Sequence, residues 1–480
     1  MLKKLRARIP AVYVCGVLAL LPLVFHDGFF DINRVKTAFF VLWTLGLSAL
    51  YLFTGKAAFT KKHIPLLVFC MLSALSTLVS ADPVSAFWGS GGRLNGFITI
   101  LCLCLGAWLA SQSKYRLWSV YAFLIAGCAV SILAALHFFG VDPFGFYENM
   151  KAEQTEQFLS TIGNIDLAGA YLCLLLPAAA GLYLRSDKVR VLSAAAVFFS
   201  ALAVIPCRAE GGMLALLCAG FICLRSGTKK GFFTAGLMIA ALLTVCALMK
   251  LFPGSSFSIA GSSCWYAAKH WGLLLPAALF CFAAAKFAGN KAGRFFGKTV
   301  TVIAVLLALT CAGAFVYFSL FDRETPLRAI LKYLRFSDTW GSYRGGVWKR
   351  CAKLFGNLPL GQKLLGVGPD SLSGPLYAAY GSEIAAFSGM RFDNAHCLPI
   401  QYLLTTGILG LLSIGTAAVL PLKNLFRSND GVARAAGYGC LVYLICGLFT
   451  VNTPAVSPVF WVLLYSAGAI SCGGDPDAGA

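Results

Sequence analysis

The sequence predicts an all-α polytopic membrane protein with about 12–14 transmembrane helices and one large loop. The chain is 59% hydrophobic and only 12% charged, with a mean hydropathy of +0.78. Its apolar runs are continuous, as in LLALTCAGAFVYFSLF at 306–321, whereas the strands of a membrane β-barrel would alternate apolar and polar residues. The large loop is predicted because the polar segment 322–397 is much longer than any other connector.

The apolar runs divide the chain into three parts. Residues 1–321 hold about eleven predicted spans, residues 322–397 form the large loop, and residues 398–480 hold about three spans and a short cytoplasmic tail. The first run follows the basic MLKKLRARIP without a small-residue cleavage site, so we expect a retained span rather than a signal peptide. The runs lie at about 11–25, 37–54, 64–80, 96–111, 119–139, 167–184, 190–206, 212–224, 231–252, 272–289, 299–321, 398–422, 436–451 and 456–471.

The charge distribution predicts the orientation of these spans. The formal net charge is +20, but the basic residues occur in pairs and triplets between apolar runs, which is typical of the positive-inside rule. Most of them fall in connectors that about fourteen spans would place in the cytoplasm, while most acidic residues fall outside. We therefore expect a multi-pass protein of the cytoplasmic membrane with both termini inside and 322–397 outside. Membrane lipids are then the partners of the basic residues, and nucleic acid is not expected.

The cysteines predict neither a metal site nor a disulfide framework. Most of the 18 lie inside apolar runs, where cysteine behaves as a small hydrophobic residue. No CxxC pair with a matching His or Cys cluster is present, and no P-loop, Rossmann glycine pattern or HExxH motif occurs. We expect no metal and no cofactor. The glycines at 366 and 368 lack the residues of a phosphate-binding loop and predict a turn.

Several basic residues lie close to the predicted outer ends of spans. Arg34 and Lys36 occur in FFDINRVKTAFF, Arg93 in WGSGGRLNGF, and Arg208 in VIPCRAEGGMLAL. Arg208 is the most informative, because a cation at membrane depth costs about 2.5–3.5 kcal/mol. It either reaches the lipid headgroups, pairs with the nearby Glu210, or serves a ligand.

Further candidates lie in the large loop. Arg344, in GSYRGGVWKR, is flanked by glycines that allow a ligand to approach closely. Arg344, Trp348 and Cys351 recur at helical spacing, which predicts an amphipathic helix on the membrane surface. Tyr343 and Arg391 are candidate substrate-binding residues of the same loop.

The chemistry is predicted by a histidine at the end of the large loop. His396 follows Asp393 and Asn394 in FDNAHCLPIQYLL. Its role is either structural or that of a general base for a sugar hydroxyl, with Asp393 orienting it or raising its pKa. Arginines gathered at the outer membrane surface suit a diphosphate, which the guanidinium binds through two oxygens. Together these residues predict transfer of a group from a polyprenyl diphosphate to a hydroxyl.

Six segments resemble one family in residue type and in order: STLVSADPVSAFWGSGGRLNGF, STIGNIDLAGAYL, CRAEGGMLAL, SYRGGVWKRCAKLF, LLGVGPDSL and AHCLPIQYLLTTGILGLL. The chain resembles the O-antigen ligase/polymerase superfamily over about residues 60–460. That superfamily includes O-antigen ligases, Wzy-type polymerases and protein O-oligosaccharyltransferases. The resemblance implies a GT-C-like, metal-independent glycosyltransferase with an undecaprenyl-diphosphate-linked glycan as donor. It also implies that His396, Arg208 and Arg344 occupy the family's functional positions. One departure is Cys397, since the family often has Asn directly after this histidine.

These observations lead to one hypothesis and two alternatives. Arg208 and Arg344, assisted by Arg93 and Lys36, would hold the diphosphate, and His396 would deprotonate the acceptor for inverting attack. The acceptor could be a lipid, a glycan or a protein. A transporter or flippase of lipid-linked glycan or small anions is the alternative class, disfavoured because the predicted spans carry almost no charged or broken positions. A purely structural membrane protein would leave the loop residues unexplained.

Overall fold

The computed structural model describes residues 2–469 apart from 91, 114–115, 149, 255–256, 261, 263, 323 and 328. It is 74% helical with almost no sheet, which confirms the all-α prediction. The predicted cytoplasmic tail begins after the last span and lies outside the described residues. The single two-stranded hairpin of the described chain pairs β1 (Phe158–Leu159) with β2 (Gly163–Asn164).

The helices follow the order of the predicted runs. Those of the first half are α1 (Leu2–Cys15), α2 (Leu21–Leu23), α3 (Ile32–Phe53), α4 (Ile64–Leu78), α5 (Pro83–Trp88), α6 (Phe97–Ala110), α7 (Arg116–Phe138), α8 (Ala152–Thr155), α9 (Ile165–Arg185), α10 (Arg190–Leu202), α11 (Val204–Cys207), α12 (Glu210–Ser226) and α13 (Lys229–Leu251). Those of the second half are α14 (Cys264–Lys269), α15 (Leu274–Phe287), α16 (Asn290–Leu320), α17 (Arg344–Asn357), α18 (Leu360–Leu365), α19 (Ser373–Ser388), α20 (Leu398–Thr405), α21 (Gly407–Arg427), α22 (Gly431–Cys446) and α23 (Ser457–Ala469). A π-helical stretch, Gly16–Leu20, joins α1 to α2, and short 3₁₀ helices cover Lys61–His63, Trp271–Leu273 and Ala329–Leu334.

Eight helical stretches of the described chain are long and apolar enough to cross a membrane. They are Leu2–Leu23, Ile32–Phe53, Lys61–Leu78, Leu117–Phe138, Ile165–Arg185, Lys229–Leu251, Lys291–Leu320 and Gly407–Arg427. Five shorter apolar helices accompany them: Phe97–Ala110, Arg190–Leu202, Trp271–Lys286, Gly431–Cys446 and Ser457–Ala467. Each predicted apolar run thus contains a helix or two consecutive helices, and the chain is a multi-pass membrane protein.

Helix α9 lies at the centre of the bundle. In the apolar window of α9, 89% of the residues are buried, against none in that of α16. Gly169 of α9 meets Gly211 and Gly212 of α12, where an added Cβ would approach backbone atoms to within 3.3 Å. Small residues allow such close packing of helices in a membrane. The two turns that flank this contact therefore have fixed positions relative to each other.

The large loop is a small helical subdomain rather than an open connector. Its helices α17 and α19 pack on each other around a separate hydrophobic cluster that includes Val347, Cys351, Leu376 and Ile384, all at most 1% exposed. The predicted helix at Arg344 is therefore confirmed. Its predicted place on the membrane surface is wrong, because the apolar side of α17 is buried against α19.

One predicted span is broken. The run 398–422 forms α20 and α21, which are separated at Gly407, where φ is +72°. Val367 and Gly368 donate their backbone N–H groups to the carbonyls of Leu404 and Thr405, at 2.9 and 3.1 Å. The turn predicted at 366–368 is confirmed, and it satisfies carbonyl groups that the break frees. The expectation of almost unbroken spans is wrong here, because a non-local turn replaces the lost helical bonds.

Candidate active site

Residues from distant parts of the chain meet at the first turn of α9. Asp166 lies in that turn, and its Oδ2 is 3.6 Å from Nη2 of Arg344. The turn that carries Arg208 is attached to the same place, because Cys207 donates its Sγ–H to the carbonyl of Ile165 at 3.2 Å. His396 lies within electrostatic range of both Arg344 and Asp166. The structure thus brings His396 and Arg344 together beside Asp166, and it attaches the turn that carries Arg208 to the start of the same helix.

His396 lies on a bent backbone just before α20. Its φ is +49°, a left-handed conformation that costs a non-glycine residue about 1–3 kcal/mol and often marks a functional site. The side chain of Asn394 holds this bend by accepting the backbone N–H of His396 at 2.6 Å. The ring contacts Phe392 edge-on at 5.8 Å, and its nitrogens have no hydrogen-bond partner among the described residues. Neither nitrogen is therefore committed to another described group.

The pKa of His396 is lowered to about 4, first by burial and then by the guanidinium groups of Arg344 and Arg93. Asp393 and Asp166 raise the pKa of His396, but these effects are smaller. Asp393 does raise this pKa, as predicted, but the other groups outweigh it and the pKa of His396 falls. The imidazole is consequently neutral at pH 7, which is the form that a general base requires.

The carboxylate of Asp393 is bound to Arg93. Nε and Nη2 of Arg93 donate to its two oxygens at 2.6 and 3.3 Å. Asp393 therefore does not orient the imidazole of His396 directly, as the sequence suggested. It fixes the backbone three residues before the histidine through a bidentate, charge-assisted contact.

Arg344 begins α17, directly after Tyr343, whose φ is +69°. A cation at a helix N-terminus is unfavourable because the helix dipole is positive there. Asp166 offsets this repulsion, because its carboxylate forms an ion pair with Arg344. The side chain of Arg344 is only 16% exposed, so its charge acts in a partly desolvated site. Tyr343 itself turns toward Phe387, with ring centroids 6.4 Å apart.

Arg208 lies in the turn between α11 and α12, with φ of +55° and a side chain that is 5% exposed. Its Nη2 donates to the carbonyl of Glu156 at 2.5 Å, and its Nη1 lies 3.8 Å from that residue's carboxylate. The guanidinium lies over the ring of Phe257 at 4.9 Å, while Nε is buried without a partner among the described residues. Glu156 is therefore the ion-pair partner of Arg208, and the alternative that paired it with Glu210 is wrong. An unpaired buried N–H next to a charge is a feature expected of a binding site.

Three other predicted substrate-binding residues make no contact with Arg208, Arg344 or His396 among the described residues. Lys36 is fully buried, and its ammonium donates to the carbonyls of Leu21, Pro22 and Val24 at 2.8–3.0 Å. It therefore stabilises the end of the first span, and its predicted role at the diphosphate is wrong because all three of its protons are used. Arg34 is exposed at the start of α3, and Arg391 is exposed over the ring of Tyr377 at 5.6 Å.

Asp370 was not singled out from the sequence. Its carboxylate accepts the backbone N–H groups of Ser90 and Asn95, at 2.8 and 3.2 Å, and so holds the turn that carries Arg93. Burial raises the pKa of Asp370 to about 6. The residue lines a cavity of about 30 Å³ to which Asn394 and Gln401 also contribute polar side chains. A cavity of this size is large enough for a water molecule, which these polar side chains could bind.

Two more acidic residues, Asp166 and Glu156, were also missed. Asp166 follows Asn164, whose side chain accepts the backbone N–H of Asp166 at 2.9 Å and caps α9. An acidic residue in the capped first turn of an otherwise apolar helix is the signal that could have indicated Asp166. Glu156 carries no comparable signal, because its contact with Arg208 spans 52 positions of the chain.

No family model and no curated protein matches the chain. The described residues also hold no group of three or more His, Cys, Asp or Glu side chains that could bind a metal ion. The chemistry of the site is therefore argued from its own side chains, which are one neutral imidazole, three guanidinium groups and their carboxylate partners.

Proposed function

We propose that the protein is a membrane glycosyltransferase that moves a glycan from undecaprenyl diphosphate to an acceptor hydroxyl. This is the activity implied by the resemblance to the O-antigen ligase/polymerase superfamily. The observation that carries the proposal is the position of His396 beside the guanidinium groups of Arg344 and Arg93. The imidazole of His396 is neutral, and its nitrogens have no hydrogen-bond partner among the described residues. The cations at the ends of apolar helices suit an anionic donor attached to a lipid. The neutral base beside them suits a nucleophile that must lose a proton.

The reaction is a single displacement. The acceptor oxygen forms a bond to the anomeric carbon while the bond from that carbon to the diphosphate breaks, so the configuration inverts. His396 takes the proton of the acceptor hydroxyl, and undecaprenyl diphosphate leaves with the bonding electrons. A diphosphate is a good leaving group, so no acid needs to protonate it. Cations, rather than the paired carboxylates of a glycosidase, are the groups that this reaction requires.

Arg344 and Arg208 hold the diphosphate in this mechanism and stabilise the charge that it gains as it leaves. Both guanidinium groups are largely desolvated, so each charge-assisted bond to a phosphate oxygen is stronger than at an open surface. Arg93 is bound to Asp393 and contributes mainly through its charge. Asp166 and Glu156 keep the two cations in place until the donor replaces them as the anionic partner.

Donor binding also activates the base. The guanidinium of Arg344 is one of the groups that lower the pKa of His396 in the free protein. A bound diphosphate neutralises that guanidinium and brings a negative charge close to the ring, and both changes raise the pKa of His396. The imidazole therefore becomes a stronger base when the donor is present.

The proposed orientation places this site at the outer face of the cytoplasmic membrane, with both termini in the cytoplasm and 322–397 outside. The large loop and the outer ends of the spans then form a GT-C-like active site. The acceptor is a lipid core, a growing glycan or a protein. The surface glycan that changes in length or attachment when the gene is deleted identifies which one.

The proposal is tested by reconstituting the purified protein in liposomes with a glycan on undecaprenyl diphosphate and a candidate acceptor. We expect glycan transfer without added metal or nucleotide, and no transfer by His396→Ala. Arg344→Lys keeps the charge but loses the planar fork, so it is expected to bind the donor more weakly. Full transfer by His396→Ala would exclude the general-base mechanism, and normal donor use by both Arg344→Lys and Arg208→Ala would exclude the diphosphate site.

The competing proposal is a transporter or flippase of the same lipid or of small anions. A broken helix often coordinates a transported ion through its freed carbonyls, and the break before Gly407 is a candidate for that role. Ser76 and the turn at 366–368 already bind those carbonyls, however, which favours a structural use. Movement of the lipid across the liposome without glycan transfer would support the transporter.

A further inference from the structure

Five aromatic side chains form a continuous surface beside the candidate active site. We call this the aromatic surface: Phe315 of α16, Phe336 and Trp340 of the large loop, Trp348 of α17, and Phe449 just after α22. The ring centroid of Trp340 lies 5.3–6.3 Å from those of Trp348, Phe336, Phe449 and Phe315. The centroids of Trp348 and Phe449 are 6.4 Å apart. Such distances are typical of packed aromatic pairs.

The aromatic surface is not part of a hydrophobic core. None of its five residues is buried, and Phe449 is 39% exposed. None of them belongs to the buried clusters of the described chain or to the residues packed against those clusters. In a membrane protein, partly exposed aromatic residues near a span end form an apolar surface that lipid or an apolar ligand covers.

The polar atoms of the aromatic surface are already in use. Nε1 of Trp340 donates to the carbonyl of Tyr333 at 2.9 Å, and Nε1 of Trp348 donates to the carbonyl of Ala395 at 2.8 Å. The ammonium of Lys349 lies 5.4 Å from the ring centroid of Phe336 and is bound to Asp338 at 2.8 Å. The rings therefore offer apolar faces and edges without free donors, which suits a hydrocarbon better than a sugar rich in hydroxyl groups.

One end of the aromatic surface reaches the membrane, and the other reaches the active site. Phe315 lies in α16, five residues before its end at Leu320, and none of the apolar window of this helix is buried. Trp348 follows Arg344 by one helical turn, so the two share a face of α17. The bond from Trp348 to Ala395 ends one residue before His396. A molecule that lies along the five rings therefore connects the bilayer with the proposed diphosphate site.

We propose that the aromatic surface binds the first isoprene units of a polyprenyl-diphosphate donor. This inference rests on the proposed function, because it takes the diphosphate to lie at Arg344. The units that follow the diphosphate are branched and unsaturated hydrocarbon, and ring faces bury such chains without loss of hydrogen bonds. The aromatic surface then fixes the direction in which the lipid leaves the site, and so orients the anomeric carbon toward His396.

The test compares the binding of geranyl diphosphate and inorganic diphosphate to the purified protein in lipid nanodiscs. Trp340→Ala and Phe449→Ala are expected to weaken the binding of geranyl diphosphate about tenfold, which is the effect of removing an apolar side chain that the bound ligand covers. Inorganic diphosphate should bind to these variants as it does to the wild type. Trp340→Phe keeps a ring and is expected to bind both ligands like the wild type, which separates the loss of the ring from misfolding.

A matched control is Trp118→Ala. Trp118 lies at the start of α7, is 71% exposed and takes part in none of the contacts described above. This variant is expected to leave both affinities unchanged. The inference is overturned if the Trp340→Ala and Phe449→Ala variants bind geranyl diphosphate normally, or if they weaken only the binding of an acceptor glycan. A second probe is a benzophenone-bearing isoprenyl diphosphate, which should label the aromatic surface on irradiation. Labelling confined to other helices would also overturn the inference.

The two proposals fail in different ways. If the wild type binds geranyl diphosphate through the aromatic surface but transfers no glycan, the binding site stands and the proposed reaction is wrong. If the wild type transfers glycan while both alanine variants bind geranyl diphosphate normally, the reaction stands and the binding site is wrong.

Discussion

Nε of Arg93 lies 2.6 Å from Oδ2 of Asp393, so a single ion pair joins the turn before α6 to the peptide that carries His396. The second contact, from Nη2 to Oδ1 at 3.3 Å, makes the pair bidentate. Both side chains are about a quarter exposed, at 22% and 27%, and solvent therefore screens the pair only in part. The geometry of the contact matters more than its energy, because it fixes the position of the histidine.

Exchange of these two charges tests the contact. Arg93→Ala and Asp393→Ala are each expected to lower kcat/KM for glycan transfer by about tenfold to a hundredfold, since misplacing a catalytic group by about 1 Å costs that much. The double variant Arg93→Asp with Asp393→Arg restores the pair in reverse and should recover part of the loss. A double variant as inactive as Arg93→Ala would indicate that Arg93 binds the donor itself.

His396→Ala is expected to lower kcat by about 10²–10⁴-fold, the usual contribution of a general base. The matched control is His26→Ala, because His26 is 78% exposed at the end of the first span and takes no part in the site. Steady-state kinetics with a saturating donor measure both variants. A similar loss in the two variants would point to a general effect of histidine removal rather than to catalysis.

The pH dependence follows from the lowered pKa of His396. The base acts in its neutral form, so kcat/KM should rise with pH through about 4 and stay level at neutral pH. A bound diphosphate raises the pKa of His396, so the corresponding rise in kcat should lie at higher pH. Initial rates measured between about pH 4 and 8 separate the two profiles. Identical profiles would show that the donor does not bind beside the histidine.

Glu156→Ala is expected to improve donor binding. Glu156 is the anion nearest to Arg208, at 3.8 Å, and its side chain is 56% exposed. The substitution removes a carboxylate that competes with the diphosphate for Arg208. This competition is weak, because solvent screens an exposed carboxylate. We expect KM for the donor to fall about two- to fivefold with kcat unchanged. A rise in KM would mean that Glu156 positions Arg208 rather than competing with the donor.

The sequence predicted the spans well and the contacts between them poorly, for a physical reason. Hydropathy is a local property, so the apolar runs gave the helices in order. A basic residue at a span end looks the same in sequence whether its side chain is exposed, as that of Arg34 is, or buried, as that of Lys36 is. Asp166 and Asp370 were missed because their partners lie far away in the chain. The break before Gly407 was missed for the same reason, since the turn at 366–368 stabilises it.

Gly407→Ala tests that break. A Cβ at Gly407 would lie 2.1 Å from the carbonyl oxygen of Leu364, and φ there is +72°. The overlap and the backbone strain both favour separation of α20 and α21 from α18. Together they should lower the free energy of unfolding by at least about 1–3 kcal/mol. We expect a lower melting temperature and reduced transfer. The control is Gly415→Ala on the same helix, because nothing lies within 4 Å of its Cβ position. Equal melting temperatures for the two variants would contradict this assignment.

Asp370 makes stability depend on pH. Its pKa rises from the usual 3.8 to about 6 in the folded protein, mainly through burial, while Asp393 raises it further and Arg93 lowers it. The folded state therefore binds the proton more tightly than the unfolded state does. The stability from this group is fully present below pH 3.8 and is lost as the pH rises through about 6.

Asp370→Asn removes this titration and still accepts the backbone N–H groups of Ser90 and Asn95. Two pKa units correspond to about 3 kcal/mol, so the melting temperature of the wild type should fall relative to that of the Asn variant by several degrees between about pH 4 and 7. His396 titrates in the same range with the opposite sign, but it is present in both proteins and cancels in the difference. Asp370→Ala leaves the two N–H groups unbound and should melt lower at every pH. A constant difference between wild type and Asp370→Asn would show that the carboxylate does not take up a proton on folding, and that the turn carrying Arg93 is held by an ionised Asp370.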